Sequence, residues 1–148
     1  MTMTQETQGV SRRSFLGAVA LGAVAVGTGK ALALELTPEV FRVKDPANLS
    51  PGLEKAHFPH VTLPARVAKG ESTPVAIVVE HPMIPGHFIQ RLEVYWEGML
   101  LSTVALVPDL MDAKATVNVK FPGPGRLAVR ILCNLHGVWE AEQQVQVS

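Results

Sequence analysis

ATVNVKFPGPGRLAVRILC, at residues 115–133, is the part of the sequence in which a strand pattern is clearest. Apolar side chains alternate with polar ones over 115–121, and every second residue of 127–133 is again apolar. A period of two places successive side chains on opposite faces of a strand, so each segment has one face suited to a core. The Gly-Pro-Gly at 123–125 turns the chain between them. This stretch indicates a β-sheet protein.

Similar segments occur on both sides of this stretch. Further strands are predicted at 61–67, 74–79, 88–96, 99–107 and 139–147. In the last of these, Trp139 and Ala141 are predicted to face the core, opposite Glu140 and Glu142. No segment has a convincing helical period. About seven short strands separated by close turns are typical of an immunoglobulin-like antiparallel β-sandwich.

The N-terminal region has the pattern of an export signal. Ser11-Arg12-Arg13-Ser14 leads into a Gly/Ala-rich apolar run that ends near Val26, which predicts a twin-arginine signal peptide. Ala31-Leu32-Ala33 is a small-x-small site, so cleavage is expected after Ala33 and the protein is expected in the periplasm. An uncleaved membrane anchor is the alternative. The expected organisation is a signal peptide at 1–33, a Pro-containing lead-in segment at 34–52 and one domain at 53–148.

The amino-acid composition and charge argue against some classes of binding partner. The chain has 148 residues, of which 47% are hydrophobic and 18% charged, and this is typical of a globular protein. Removal of residues 1–33 leaves a small excess of acidic residues, which argues against a nucleic-acid partner and against a polybasic membrane contact. No stable membrane insertion is expected after cleavage.

The residues that can hold a metal lie in predicted loops or at strand ends. They are His57, His60, His81, His87, His136 and the single cysteine, Cys133. The Cys-x-x-His spacing at 133 and 136 allows a thiolate at a strand end and an imidazole from the next turn to reach one ion. A buried thiol beside a surface histidine has the same spacing, so the pattern by itself leaves both interpretations open.

Three motifs resemble the superoxide reductase family, which includes neelaredoxin and the desulfoferrodoxin iron domain. They are Glu-Lys-Ala-His-Phe-Pro at 54–59, His-Pro-Met at 81–83 with a further histidine at 87, and Cys-Asn-Leu-His-Gly-Val-Trp-Glu at 133–140. The resemblance implies one mononuclear non-haem Fe(II)/Fe(III) centre with an axial thiolate and four imidazoles. Carried over to this chain, the ligands are Cys133, His57, His81, His87 and His136. His57 is preferred to His60 because His57-Phe58-Pro59 resembles the His-Val-Pro of the family.

The resemblance also implies an activity and partners. The reaction is the one-electron reduction of superoxide to hydrogen peroxide, which requires an electron donor that the sequence does not identify. Relatives suggest a homo-oligomer, for which the apolar strand at 99–107 can supply an interface. The family's larger members add a small domain with four cysteines and a second iron. A sequence with one cysteine does not contain it.

One inserted residue separates this chain from the family pattern. Typical members have Glu, Lys and His in succession, whereas here Ala56 lies between Lys55 and His57. Lys55 is expected to attract the superoxide anion and Glu54 to cap the resting ferric iron. The insertion changes where both side chains point, so a solvated surface lysine is an equal alternative for Lys55.

Three other functions fit parts of the pattern. A cupredoxin-like copper electron-transfer protein is one, although no Met follows Cys133. An exported metal-binding module without reductase activity is the second. A zinc hydrolase with three histidine ligands and Glu54 as the base is the third.

Overall fold

The structure is a computed structural model that describes residues 38–148. The predicted twin-arginine segment, the expected cleavage after Ala33 and the first part of the lead-in lie outside the described residues. Within the described part of the chain, no helix is both long and apolar enough to cross a membrane.

Residues 38–148 form eight strands in two sheets and one short helix. The strands are β1 Val40–Arg42, β2 His60–Thr62, β3 Ser72–Val78, β4 Ile89–Trp96, β5 Met99–Ala105, β6 Lys114–Lys120, β7 Gly125–Cys133 and β8 Gly137–Val145; the helix is α1 Leu53–His57. One sheet has the order β1-β8-β7-β4-β5, and the other has the order β2-β3-β6. The predicted β-sandwich is therefore confirmed.

Alternation explains how the two sheets pack. In β3, Val75 and Ile77 are fully buried while their neighbours face outward. In the quoted stretch, Val119 and Phe121 of one segment and Leu127 of the next join the same core cluster. β6 and β7 belong to different sheets, so the turn at 123–125 carries the chain across the sandwich.

Two elements of the lead-in and of the first histidine motif differ from the prediction. β1 is an additional strand, and it pairs with β8 in parallel, whereas only antiparallel strands were predicted. Residues 53–57 form α1, although no helical period was found. Both elements are too short for a periodic pattern, which needs about four residues in a strand and about 11 in a helix.

Glu140 lies on the face opposite Trp139, as predicted, since its register partners on the neighbouring strands are Arg42 and Arg130 and none of the three belongs to the core cluster. It is nevertheless buried on that face, with 3% exposure. Its carboxylate accepts hydrogen bonds from Arg42 of β1, at 2.6 Å, and from Arg130 of β7. A carboxylate is tolerated at a buried position when cations neutralise it in this way.

The strand order brings the start of β4 and the end of β7 together at one end of the sandwich. β4 and β7 are antiparallel neighbours in which Ile89 lies opposite Cys133. The start of β4 and the end of β7 are therefore adjacent, and the segments that precede β4 and follow β7 meet there.

Candidate metal centre

Five predicted ligands meet at this end of the sandwich. His57 is the last residue of α1, Cys133 is the last residue of β7, and His136 lies in the turn between β7 and β8. His81 and His87 lie in the connection between β3 and β4. One donor atom from each of the five residues lies within 4.8 Å of all the others.

The four imidazoles surround one point. Nε2 of His57 is 3.1 Å from Nε2 of His81 and 3.1 Å from Nδ1 of His136. Nδ1 of His136 is in turn 3.1 Å from Nε2 of His87. The rings of His81 and His87 are also adjacent, with centroids 4.4 Å apart, whereas those of His57 and His87 are 6.1 Å apart. The order around the point is therefore His81, His57, His136, His87.

The sulfur of Cys133 lies out of this ring. It is 3.5 Å from Nε2 of His81 and 3.6 Å from Nδ1 of His136, which are opposite members of the ring. The other two places in the ring are taken by His57 and His87, so the sulfur lies to one side of the ring. No sixth His, Cys, Asp or Glu side chain of residues 38–148 joins the group. The arrangement is four imidazole nitrogens in a ring with one sulfur to one side.

These donors fit one metal ion with octahedral angles. Metal–imidazole bonds of about 2.1 Å place neighbouring nitrogens of an octahedron about 3.0 Å apart, which is close to the 3.1 Å separations here. Imidazole and thiolate are donors that iron, copper and zinc accept. A structural zinc site normally has four ligands at tetrahedral angles, so five donors in this arrangement fit mononuclear iron better.

Backbone carbonyls orient two of the imidazoles. Nδ1 of His57 donates a hydrogen bond to the carbonyl oxygen of Leu53 at 2.8 Å, and Nδ1 of His81 donates to that of Pro82 at 2.6 Å. A carbonyl oxygen can only accept, so each Nδ1 carries the proton and each Nε2 presents its lone pair to the centre. Both rings therefore have the tautomer that a metal ligand needs.

Burial also keeps these rings uncharged. Burial lowers the pKa of His81 to about 4, against a smaller upward effect of the Pro82 carbonyl and with further lowering by the neighbouring histidines. The pKa of His57 is lowered as well, first by burial, although the Leu53 carbonyl raises it. Neutral imidazoles are the metal-binding form, so at neutral pH these two ligands need not lose a proton to bind a metal.

Two residues that support the ligands were not given a role from the sequence. The ring of Trp139 stacks on His57, with centroids 5.3 Å apart, and its Nε1 donates to the carbonyl oxygen of His136 at 3.1 Å. Asn134 connects the turn after β7 to the segment that contains His87. Both residues belong to the Cys-Asn-Leu-His-Gly-Val-Trp motif, which was the available signal.

The remaining predicted residues lie outside the group of five donors. His60 is exposed in β2, with its ring against Phe58, so the preference for His57 agrees with the structure. The carboxylate of Glu54 accepts the backbone N–H of Ser50 at 2.8 Å, and this bond lowers its pKa. Lys55 is exposed on α1, two residues before His57. The catalytic roles of Glu54 and Lys55 stay predictions.

Comparisons with known proteins point to one family. The family described as desulfoferrodoxin matches residues 50–142. A protein of Methanocaldococcus jannaschii, named as a candidate superoxide reductase, is 33% identical over 98 residues, which cover 62% of this chain and 84% of the relative. Desulfoferrodoxin of Clostridium acetobutylicum is 32% identical over 97 residues and covers 65% of this chain and 69% of the relative.

A solved structure supports the same likeness. Superoxide reductase (neelaredoxin) from Ignicoccus hospitalis is 31% identical and superposes with a TM-score of 0.56, covering 62% of this chain and 81% of that chain. A variant of the same protein covers 74% of this chain and 94% of that chain, with 27% identity and a TM-score of 0.64.

Proposed function

The chain belongs to the desulfoferrodoxin family, and we propose on this basis that it is a superoxide reductase with one mononuclear iron centre. The observation that carries the proposal is the ring of four histidine nitrogens with the Cys133 sulfur to one side of it. His57, His81, His87, His136 and Cys133 would hold the iron. Iron held by these five donors would have room for one further ligand, where substrate could bind.

When bound, ferrous iron supplies the single electron that, with two protons, converts superoxide to hydrogen peroxide. The protein's part is to hold the metal ligands in place and to shield some of them from solvent. Cys133 is 2% exposed, so its sulfur lies on the interior side of the site, and the partly exposed His87 and His136 border the side that solvent reaches. Burial protects this sulfur from oxidants, and as a thiolate ligand it would donate electron density to bound iron.

The site geometry argues against the two other metal functions. A blue-copper centre uses two histidines, one cysteine and a weak axial group, whereas four histidines converge here. A zinc hydrolase with Glu54 as base requires this carboxylate to approach the bound water. Glu54 is instead hydrogen-bonded to Ser50, at the start of the turn before α1.

An electron donor and a homo-oligomer complete the proposal. Each turnover consumes one electron, and the described residues contain no second cluster of metal-binding side chains, so we propose an external redox partner. β5 lies at the edge of its sheet and exposes Met99, Leu100 and Leu101 without a charged residue in the strand. Such an edge favours pairing with another chain, and we propose a second copy.

Leu100→Lys tests the oligomer. The substitution should reduce the mass found by sedimentation velocity to that of one chain, because a charge at a strand edge prevents edge pairing. Val78→Lys places the same charge at an exposed position of the other sheet and should leave the mass unchanged. Equal masses for wild type and Leu100→Lys would contradict an interface at β5.

We also propose export to the periplasm by the twin-arginine route. The support is the sequence pattern at 11–33, together with the fact that this route carries folded proteins, which suits a metal centre assembled before export. Replacement of Arg12 and Arg13 by lysine should retain the protein in the cytoplasm on cell fractionation. Unchanged recovery from the periplasm would contradict this route.

The enzymatic proposal is tested by the stoichiometry and rate of superoxide removal. Pulse radiolysis of the reduced iron protein should give one hydrogen peroxide for each superoxide consumed, without release of dioxygen. A rate constant no greater than that of an aqueous iron complex, or dioxygen release at half the superoxide consumed, would overturn it.

A further inference from the structure

Two adjacent segments of the chain carry His87, Cys133 and His136. His87 lies in the connection before β4, which also contains His81, whereas Cys133 ends β7 and His136 lies in the turn that follows it. They lie side by side because β4 and β7 are paired, but that pairing begins only at Ile89, two residues after His87. The position of His87 relative to the other two ligands therefore depends on contacts outside the regular strand pairing.

Asn134 makes such contacts with both its side chain and its backbone. Its Oδ1 accepts the backbone N–H of Phe88 at 2.9 Å, and its Nδ2 donates to the carbonyl oxygen of Gly86 at 3.1 Å. Its own backbone N–H donates to the carbonyl oxygen of Phe88 at 3.1 Å. The three bonds hold the residues immediately before and immediately after His87.

The side-chain contacts require an amide. A backbone N–H can only donate and a carbonyl oxygen can only accept, so one side chain must offer an acceptor and a donor side by side. Aspartate provides the acceptor without the donor, and alanine provides neither. Glutamine has both groups on a stem that is one methylene longer.

The segment held by Asn134 is itself a hydrogen-bonded turn, so the position of this turn determines the position of the His87 imidazole. The N–H of His87 donates to the carbonyl oxygen of Ile84 at 3.0 Å, and the N–H of Ile84 donates to that of His87 at 3.3 Å. Pro85 and Gly86 form the turn between them. A closed four-residue turn moves as a unit, and its attachment to Asn134 fixes where His87 enters the site.

We propose that Asn134 is a positioning residue that sets the place of His87 in the metal site relative to Cys133 and His136. This inference rests on the proposed iron site. Oδ1 of Asn134 also lies 4.0 Å from Sγ of Cys133, at the outer limit of a hydrogen bond to sulfur. The shorter contacts of Asn134 act through Gly86 and Phe88 on the ligand His87, in the way that groups behind metal ligands orient them elsewhere.

Loss of the amide should weaken metal binding and change the metal's surroundings. Groups that orient metal ligands typically contribute about 10- to 100-fold to metal affinity. Asn134→Ala should therefore lower the affinity for Fe(II), measured by chelator competition under anaerobic conditions, by about 10- to 100-fold. The visible absorption of the oxidised iron protein should shift, because His87 no longer occupies the same position beside the thiolate.

Two further variants separate positioning from a general loss of stability. Asn134→Asp keeps the acceptor for Phe88, so its Fe(II) affinity should fall between those of wild type and Asn134→Ala. Val75→Ala removes buried volume in β3, away from the site, and should lower the melting temperature without changing Fe(II) affinity or the spectrum. If Asn134→Ala does not fold, Asn134→Asp is judged by the same two readouts.

The measurements on the Asn134 variants decide whether Asn134 positions His87. Wild-type Fe(II) affinity and an unchanged spectrum in the folded Asn134 variants, with a lower melting temperature alone, would make Asn134 a structural residue and overturn the proposal. Because metal affinity is measured without superoxide, this result leaves the reductase proposal standing. A wild-type protein that binds iron and fails to reduce superoxide would overturn only the reductase proposal.

Discussion

The charged residues nearest in sequence to His57 are Glu54 and Lys55, and their surroundings differ. The Glu54 carboxylate is hydrogen-bonded to Ser50, whereas Lys55 is exposed on α1. α1 has one residue more between lysine and histidine than the family pattern, and each residue of a helix turns by about 100°. A long lysine side chain can compensate for such a rotation better than a glutamate that is already bonded.

Substitution of Lys55 tests its role in attracting superoxide. Lys55→Ala should lower the second-order rate constant about tenfold at low ionic strength, with unchanged iron content, because a nearby positive charge raises the encounter rate of an anion. The difference should shrink as salt is added. Lys69→Ala is the matched control, since Lys69 is exposed near Ser148, after the far end of β8. Equal rates in all three proteins would contradict steering by Lys55.

At the scale of single residues, the metal ligands could be predicted because they stand in sequence motifs. The residues that orient these ligands could not be predicted, because their roles depend on contacts between distant parts of the chain. The histidines and Cys133 were found because they stand in three recognisable motifs. The hydrogen bonds of Asn134 depend on the pairing of β4 with β7, which no local pattern contains. The stacking of Trp139 on His57 depends equally on α1 being packed beside β8.

At the scale of elements, β1 shows how a short strand is stabilised by one ion pair. β1 has only three residues and pairs with one strand, β8. Arg42 of β1 donates to the buried carboxylate of Glu140, which also accepts from Arg130 of β7. Phe41 packs on Trp139, with ring centroids 5.1 Å apart. These contacts join the lead-in to the strand that carries Trp139 behind the metal site.

Glu140→Gln tests this ion pair. Burial raises the pKa of Glu140, but hydrogen bonds from Arg130 and Arg42 outweigh it and the pKa is lowered from its ordinary 4.5. A lowered carboxyl pKa stabilises the fold above the unfolded-state value and the effect is lost as pH falls through the folded-state value. The variant should therefore lose about 2 kcal/mol of unfolding free energy at pH 7, and the difference should decrease below about pH 4.5.

Glu142→Gln is the control for this measurement. Glu142 lies on the same strand and is partly exposed, with Arg126 at 3.5 Å. Exposed pairs contribute little, so its unfolding free energy should stay within about 0.5 kcal/mol of wild type. Equal losses in urea unfolding for the two variants would contradict a special role for the buried carboxylate.

The helices and strands were likewise predicted where a local sequence pattern determines them and missed where contacts with distant residues do. β3 to β8 were predicted from alternation and turn residues, and the Glu97-Gly98 turn adopts positive φ at both positions, as a two-residue hairpin requires. β1 and α1 were missed because three or five residues carry no measurable period. The burial of Glu140 on its predicted face was not foreseen, because it depends on two arginines from other strands.

At the scale of the whole molecule, the uncharged histidine cluster links metal-free stability to pH. The pKa of His81 is lowered to about 4, and that of His57 is lowered too, mainly by burial. An unfolded chain binds these protons near pH 6.5, whereas the folded one does not. The sign is therefore a loss of stability in the metal-free protein as pH falls from about 6.5 towards about 4.

His81→Gln should reduce this dependence. Removal of one such group should lower the slope of unfolding free energy against pH, between pH 5 and 6, by about 1 kcal/mol per pH unit. His60→Gln should keep the wild-type slope, because His60 is exposed and outside the cluster. Urea unfolding of the metal-free proteins measures both. A wild-type slope in His81→Gln would contradict the effect of burial on His81.

The central claim is an iron centre with four histidines and one thiolate, and metal analysis with a visible spectrum tests it most directly. The purified protein should contain about one iron per chain, since one such cluster is present among the described residues. Oxidation by superoxide should produce a thiolate-to-iron absorption band, and Cys133→Ser should lack that band. Full occupancy by copper or zinc, or an unchanged band in Cys133→Ser, would contradict the claim.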